Sequence, residues 1–581
     1  MQFKKVAEQF EKIEAENSRI EMTKLLAELF LQTTDKEIGI ICNLSLGLLR
    51  PPYQGTQFNL AEKSLIKVLA DLLSLPIKEV TQDARKFGDL GIVITEHATY
   101  QPEKYLTVLQ VYDELCAIEA IGGEGSQEAK ATRTLQLLKQ VEPLSAKFIV
   151  RIILGTLRLG FSEMTIIDAL SWMEVGNKTL RKRIEHAYNI CVDIGLIAST
   201  LKAEGIEALD KMKIHVGIPI RPAAAERMPT AQDIFKKLGN CVAQPKLDGF
   251  RIQIHIDKTT IKPRVEFFSR HLIDMSHMFP DLVEALLDLN IQTMIAEGEA
   301  IAYEPNTGTF LPFQETVKRK RKHGIEQAIS EFPLRVYLFD LLYLDGQQYL
   351  DQTHEDRRQK LLGVMQGYKG DKVQVIGEVV INSAKELEEY FNKQMDIGLE
   401  GIVVKKPDAI YQPGKRNFNW IKFKRQEEGH LEDTLDCVIL GYYAGSGKRA
   451  TFGIGAFLVG VYNKNEDHFE TVAKIGTGLT DEGWKELKKK CDAIKTDEKP
   501  KNVVSAKELY PDTWVYPELV CMIRADEITL SPLHTAGKTK EKLGYALRFP
   551  RFMGYRPDKG PEESTTIAEL KRLYEDQFKM K

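Results

Sequence analysis

Two prolines in the segment Gly217-Ile218-Pro219-Ile220-Arg221-Pro222 separate stretches of different periodicity. Upstream, Phe148, Ile152 and Ile153, and again Ile166, Ile167, Leu170 and Met173, recur at helical spacing, with Gly and Pro concentrated between such stretches. Downstream, Arg251 to Ile256 alternates apolar and polar residues as a half-buried strand does, and Cys241 to Gln244 can supply the strand before it. From about Glu432, runs such as Cys437 to Tyr443 and Phe457 to Tyr462 alternate with Gly-rich turns, the pattern of a small β-barrel. The expectation is a multi-domain chain: an all-α domain over residues 1–215, an α+β domain over 216–427 and a β-barrel over 428–581. With 581 residues, 43% of them apolar, there is material for three or four packed domains.

Charge narrows the partners. With 80 basic against 83 acidic residues there is no global positive field, so any surface for a polyanion must be a local concentration of charge. The densest is Lys318-Arg319-Lys320-Arg321-Lys322-His323. A solvated loop is the commoner fate of such a run, but its place between two of the segments described below favours nucleic-acid contact. Seven cysteines lie scattered without a C-x-x-C pair, which speaks against disulfides and a zinc site and fits a reducing compartment. The N-terminus is amphipathic and charged, and no apolar run approaches a membrane span, so a soluble, cytoplasmic protein is expected.

The chemistry centres on Lys246-Leu247-Asp248-Gly249-Phe250-Arg251, which holds one lysine between Pro245 and an Asp-Gly turn at a strand end. A free lysine, with a pKa of about 10.4, is protonated at neutral pH. A nucleophilic one needs cationic neighbours, burial or a metal. Alone, the hexapeptide also fits an ordinary surface hairpin. Further islands follow in order: Phe268-Ser269-Arg270, then Ile295 to Ala300 with Glu297 and Glu299 inside a strand-like run, then Tyr337-Leu338-Phe339-Asp340. After these come Glu400-Gly401-Ile402-Val403-Val404-Lys405 and Trp420-Ile421-Lys422-Phe423-Lys424. Lys422 and Lys424 share one face of a strand, an arrangement that makes sense mainly beside a phosphate.

Together these segments resemble the ordered motif set of the covalent nucleotidyltransferases, specifically the ATP-dependent DNA ligases of the archaeal and eukaryotic replicative type. The resemblance covers nearly the whole chain, from Leu154 to Gly160 upstream to Glu527 to Pro532, Arg548-Phe549-Pro550-Arg551 and Asp558-Lys559 downstream. It implies that Lys246 attacks the α-phosphorus of ATP, expels pyrophosphate and holds AMP as a phosphoramidate. AMP then passes to the 5′-phosphate at a nick in double-stranded DNA, and the 3′-hydroxyl displaces it. Arg251, Lys422 and Lys424 would neutralise the α-phosphate and lower the pKa of Lys246 by repulsion. Phe339 would offer a face to adenine or serve as a core aromatic, and Arg270 and Arg416 would lie near the nucleotide and the nick phosphate. Glu299 and Glu400 would be the metal-side carboxylates, for Mg2+ with Mn2+ as an alternative, and Glu299 would also reach the ribose; Glu297 receives no role. Arg548, Arg551, Asp558 and Lys559 would orient the departing pyrophosphate from another domain, so that adenylylation requires a domain closure. The helical domain would grip the DNA backbone and minor groove, with the loops Gly122 to Gln127 and Gly155 to Gly160 presenting N–H groups to phosphates. The barrel would be an OB-fold, and the protein a monomer serving replication, repair and recombination.

Two departures from the family pattern stand out. Gln244 occupies the position, two residues before the lysine, where the family carries a glutamate that reads the adenine amine; its amide can donate as well as accept, which makes GTP use conceivable. The sliding-clamp tether of related ligases is not evident in Tyr100-Gln101-Pro102-Glu103-Lys104-Tyr105, which has no aromatic pair. RNA ligases and GTP-specific capping enzymes share the lysine motif, but the long helical N-terminal region and Arg548 to Arg551 argue against both. A DNA-binding scaffold with a dead core is a third reading, opposed by the filled positions Lys246, Arg251, Glu299, Glu400, Lys422 and Lys424.

Overall fold

The computed structural model describes residues 1–16, 18–102, 104–157, 159–305, 307–311, 316, 318–319, 325–424, 434–445 and 447–579. The chain divides into two compact units, Met1–Ser64 with Tyr100–Arg425 and Leu65–Thr99 with Gln426–Lys581.

The first unit opens with helices, among them Phe3–Ala15, Asp35–Ser45, Ser126–Lys139, Pro143–Ile153 and Glu163–Val175. In Phe3–Ala15 the buried Phe3, Val6, Ala7, Phe10 and Ile13 recur every three or four residues, which gives the helix one apolar stripe. Asp35–Ser45 starts at a capping box in which Thr34 and Glu37 satisfy each other's backbone N–H groups, worth about 1 kcal/mol.

The rest of the unit is built on two sheets. Its strands are β1 (Ala224–Arg227), β2 (Cys241–Lys246), β3 (Phe250–Asp257), β4 (Arg264–Ser269), β5 (Thr293–Ala302), β6 (Leu334–Leu344), β7 (Gln347–Gln348), β8 (Val373–Val375), β9 (Val379–Ile381), β10 (Gly401–Lys405) and β11 (Arg416–Lys424). One sheet runs β1-β11-β10-β2-β9 and the other β4-β3-β5-β6-β7, with β8 beside β6. Ile252, Ile254 and Ile256 pack with Phe267, Phe279 and Val336 on one core. Ile234, Ala243, Leu387, Ile402 and Ile421 form another under the first sheet. Each aliphatic side chain so buried contributes roughly 1.5–3 kcal/mol relative to exposure.

The basic run is corrected in part. Arg319 turns inward: at 1% exposure its guanidinium donates to Asp281 Oδ1 (2.6 Å), the Met278 carbonyl (3.0 Å) and the Phe332 carbonyl (3.2 Å). A cation buried in such a pair cannot serve as a surface contact, because breaking the pair would leave an unpaired charge inside. Lys318 lies over the Phe332 ring, and residues 320–323 are outside the described residues.

In the second unit, β12 (Leu435–Tyr443), β13 (Ala456–Asn463), β14 (His468–Ile475), β15 (Lys495–Thr496), β16 (Val503–Val504), β17 (Thr513–Val515), β18 (Val520–Arg524) and β21 (Arg551–Tyr555) share one sheet. Strand β12 is its hub, pairing with β13, β17 and β18, and β18 in turn pairs β21. A separate hairpin joins β19 (Glu527–Ser531) to β20 (Gly544–Arg548). Trp484, from the helix Asp481–Ala493, is fully buried in the core with Phe457 and Phe552. Residues 65–99 carry the helices Ile77–Phe87 and Leu90–His97. All seven cysteines are free, and among the described residues no helix is long and apolar enough to cross a membrane.

Candidate active site

Lys246 is the last residue of β2, and Leu247-Asp248-Gly249 carries the chain from one sheet to β3 of the other. The crossing passes so close to β5 that a Cβ on Gly249 would sit 2.4 Å from the Ala300 carbonyl oxygen, so a glycine is required there. Its N–H donates to Glu299 Oε1 at 3.1 Å. Antiparallel register then aligns the lysines: Gly401 of β10 stands opposite Lys246 on one side and Lys424 on the other, and Val403 stands likewise between Gln244 and Lys422. A Cβ at Gly401, whose φ is +146°, would meet the Phe423 carbonyl oxygen at 2.3 Å.

These elements wall a cavity of about 930 Å³, within the usual size range of small-molecule sites. Gln244, Lys246, Arg251, Arg270 and Glu299 line it, as do Phe339, Glu400, Lys422 and Lys424. Arg416, on β11, is not among the lining residues, but its charge acts on Lys422. Burial, followed by the charges of Arg416, Lys424, Arg270 and Lys246, pushes the Lys422 amine below its ordinary range. Four of these five cations line the cavity, an arrangement that an anion relieves.

The carboxylates divide the same space. Lys246 Nζ hydrogen-bonds to Glu400 Oε2, and Lys424 Nζ donates to Glu400 Oε1 at 3.0 Å. Burial opposes ionisation of Glu400, yet the charges and hydrogen bonds of these two lysines hold its carboxyl below the usual range. Glu299 behaves oppositely: burial pushes it up to about 7 despite the charges of Lys246 and Arg251. Glu299 and Glu400 both line the cavity, and their carboxylate oxygens are the hard donors a divalent cation takes.

Arg251 is held by Glu297, for which no role was expected. Its Nη2 contacts both oxygens of Glu297 at 2.9 Å, and Tyr411 OH donates to Glu297 Oε2 at 3.0 Å. The guanidinium lies 5.5 Å from the centre of the Phe339 ring and 5.6 Å from that of Trp420. Beneath Phe339, Lys405 Nζ donates to its carbonyl, and Asp340 forms a buried bidentate pair with Arg357. The signal available in sequence was a charge inside an apolar strand, seen at Glu297, Asp340 and Lys405; the partners lie on other elements.

The remaining expected residues fall at two places in the second unit. Arg548 pairs with Glu527 across the β19–β20 hairpin, and Arg551 with Asp526 at 3.5 Å. Asp558 holds Arg556, while Lys559 Nζ and Arg556 both bind Asp436, at 2.7 and 3.0 Å. In the helical region Gly125 precedes Ser126–Lys139, whereas Arg158 and Glu103, within two of the segments singled out in the sequence, are outside the described residues.

Comparison with known proteins agrees with this geometry. Residues 222–424 match the family described as ATP dependent DNA ligase domain, residues 2–171 that described as DNA ligase N terminus, and residues 450–559 that described as ATP dependent DNA ligase C terminal region. A protein named Probable DNA ligase from Dictyoglomus turgidum is 46% identical over 583 residues, covering 100% of this chain and 99% of its own. DNA ligase 2 of Thermofilum pendens is 40% identical over 594 residues, covering 99% and 97%. A solved structure named Pmar-Lig_PreS3 shares the fold at a TM-score of 0.55 and 17% identity, covering 95% of this chain and 99% of its own. The chain belongs to the ATP-dependent DNA ligases, enzymes that seal nicks in duplex DNA through a lysine-AMP intermediate and an adenylylated 5′-phosphate.

Proposed function

We propose that Lys246 is the nucleophile of this ligase and that the cavity around it is the ATP site. The observation carrying this reading is that Lys246, Lys422, Lys424 and Arg270 line one cavity together with Glu400 and Glu299, with the charge of Arg416 also acting on Lys422. In the first step the Lys246 amine attacks the α-phosphorus and pyrophosphate departs; Lys422 and Lys424 balance the charge of the transferred phosphoryl group. Arg251, braced by Glu297, and Arg270 hold the nucleotide, and Phe339 packs against the base. Glu299 and Glu400 would hold Mg2+, which supplies further charge neutralisation at the phosphates when bound. Arg548, Arg551, Asp558 and Lys559 act on the pyrophosphate side.

In the same reading the domains span 1–215, 216–427 and 428–581, the helical one meets duplex DNA, and the last is an OB-fold centred on β12. The protein works as a monomer. No clamp tether is assigned to residues 100–105, where the Tyr100 hydroxyl is already used on the Leu138 carbonyl.

The decisive test separates the steps. Lys246→Ala should fail to seal a nick supplied with ATP yet seal a nick whose 5′-phosphate is already adenylylated, because the last displacement needs no lysine nucleophile. Failure of both, with the fold intact, would give Lys246 a role other than nucleophile.

A further inference from the structure

Building on that ATP site, we propose that Glu378 is a positioning residue that locks the side-chain amide of Gln244, so that its carbonyl oxygen meets the nucleobase and selects a 6-amino purine over a 6-oxo purine. The register of β2 with β9 sets this up. Ala243 stands opposite Val379, which brings Glu378, the residue before β9, alongside Gln244. Gln244 Nε2 donates to Glu378 Oε2 at 2.7 Å.

An ionised carboxylate only accepts hydrogen bonds, so chemistry, rather than electron count, decides which end of the amide faces it. Glu378 is kept ionised by its other partners. His354 Nε2 lies 2.9 Å from Oε2 and Arg358 Nε lies 3.2 Å from Oε1. Burial would raise the Glu378 carboxyl, but the hydrogen bond from His354 and the charges around it hold it below the usual range. Burial, followed by the charge of Lys405, lowers the His354 imidazole below its ordinary range, and its Nε2 faces the Glu378 carboxylate.

The consequence falls on the cavity. Gln244 is only 2% exposed, lines the cavity and shares a strand face with Lys246 two residues on. With Nε2 engaged, Oε1 is the acceptor left for a ligand, and among the described residues no donor reaches it. An exocyclic amine completes that bond, whereas a carbonyl at the same position sets oxygen against oxygen and leaves a buried acceptor unpaired. A glutamine free to rotate would accept either base. The fixed one reproduces the discrimination expected of a glutamate.

The test measures adenylylation and guanylylation of the full chain with α-labelled ATP and GTP, as the ratio of kcat/KM. Wild type should favour ATP. Glu378→Gln, whose amide can donate as well as accept, should lower that ratio by on the order of tenfold, one hydrogen bond's worth. The exchange Gln244→Glu with Glu378→Gln should restore it, since the acceptor and its donor are then both present. Gln244→Leu, which leaves Glu378 with His354 and Arg358, should lower the ratio even if Glu378→Gln folds poorly. Equal losses with both nucleotides, or a ratio unmoved by either single variant, would overturn the proposal. Absence of label from either nucleotide in wild type would instead overturn the ATP site on which it rests.

Discussion

Lys246 and Glu400 are hydrogen-bonded to each other across the β2–β10 ladder, one residue out of the register that sets Lys246 opposite Gly401. Lys246 is therefore held as a donor, in contact with a carboxylate that also binds Lys424. Attack by Lys246, as proposed, requires the amine nitrogen to give up a proton, and the Glu400 carboxylate is the base in contact with it.

Glu400→Gln removes the charge and keeps the shape. Adenylylation should fall on the order of a hundredfold or more, as when a metal-side ligand is lost. Chelation of Mg2+ by EDTA should stop labelling of the wild type. Single-turnover labelling across a Mg2+ titration checks both, and a wild-type rate for Glu400→Gln would contradict the assignment.

Arg357→Ala should destabilise the first unit by about 3–5 kcal/mol, the usual cost of leaving one partner of a buried pair behind. Asp340 and Arg357 are each 1% exposed and meet at 2.6 and 3.0 Å. Lys405, 3.9 Å from Asp340, compensates only in part. Urea unfolding followed by far-UV circular dichroism measures the loss.

Acid should destabilise the protein through His255. The ring is wholly buried, its Nδ1 accepts from the Gly217 N–H at 3.0 Å, and burial holds its pKa near 3 rather than 6.5. The folded pKa is depressed, so the unfolded chain binds the extra proton first. Stability present above pH 6.5 is lost as pH falls toward 3, by about 2 kcal/mol at pH 5. His255→Gln should be less stable at pH 7 and should show a shallower decline between pH 7 and 5 in denaturant melts.

Gly249→Ala should displace the turn that holds Lys246. The added methyl has the Ala300 carbonyl oxygen 2.4 Å away and cannot be accommodated without backbone movement, at about 1–3 kcal/mol. Adenylylation should drop more than the melting temperature does, because the shift is centred three residues from Lys246.

Much of this was legible in the sequence. Helical spacing before residue 217 and strand alternation after it carry the architecture, since both periods reflect which side chains must be buried. Lys422 and Lys424 were legible as sharing a face because β-strand alternation puts them there; that Lys246 joins them came from the family resemblance, and the three line one cavity. What was hidden depends on pairings between distant residues: Gln244 with Glu378, 134 positions apart, and Arg251 with Glu297. Arg319 shows the limit of reading charge as exposure, because its partner Asp281 lies on another element. Nor does local periodicity tell that Leu65–Thr99 groups with the second unit.

The most direct test of the central claim is labelling with α-labelled ATP and Mg2+, wild type beside Lys246→Ala, followed by a chase with nicked duplex. Label should be retained on denatured wild-type protein, lost in the variant, and transferred to DNA in the chase. Label persisting in Lys246→Ala, or label that nicked DNA does not discharge, would contradict it.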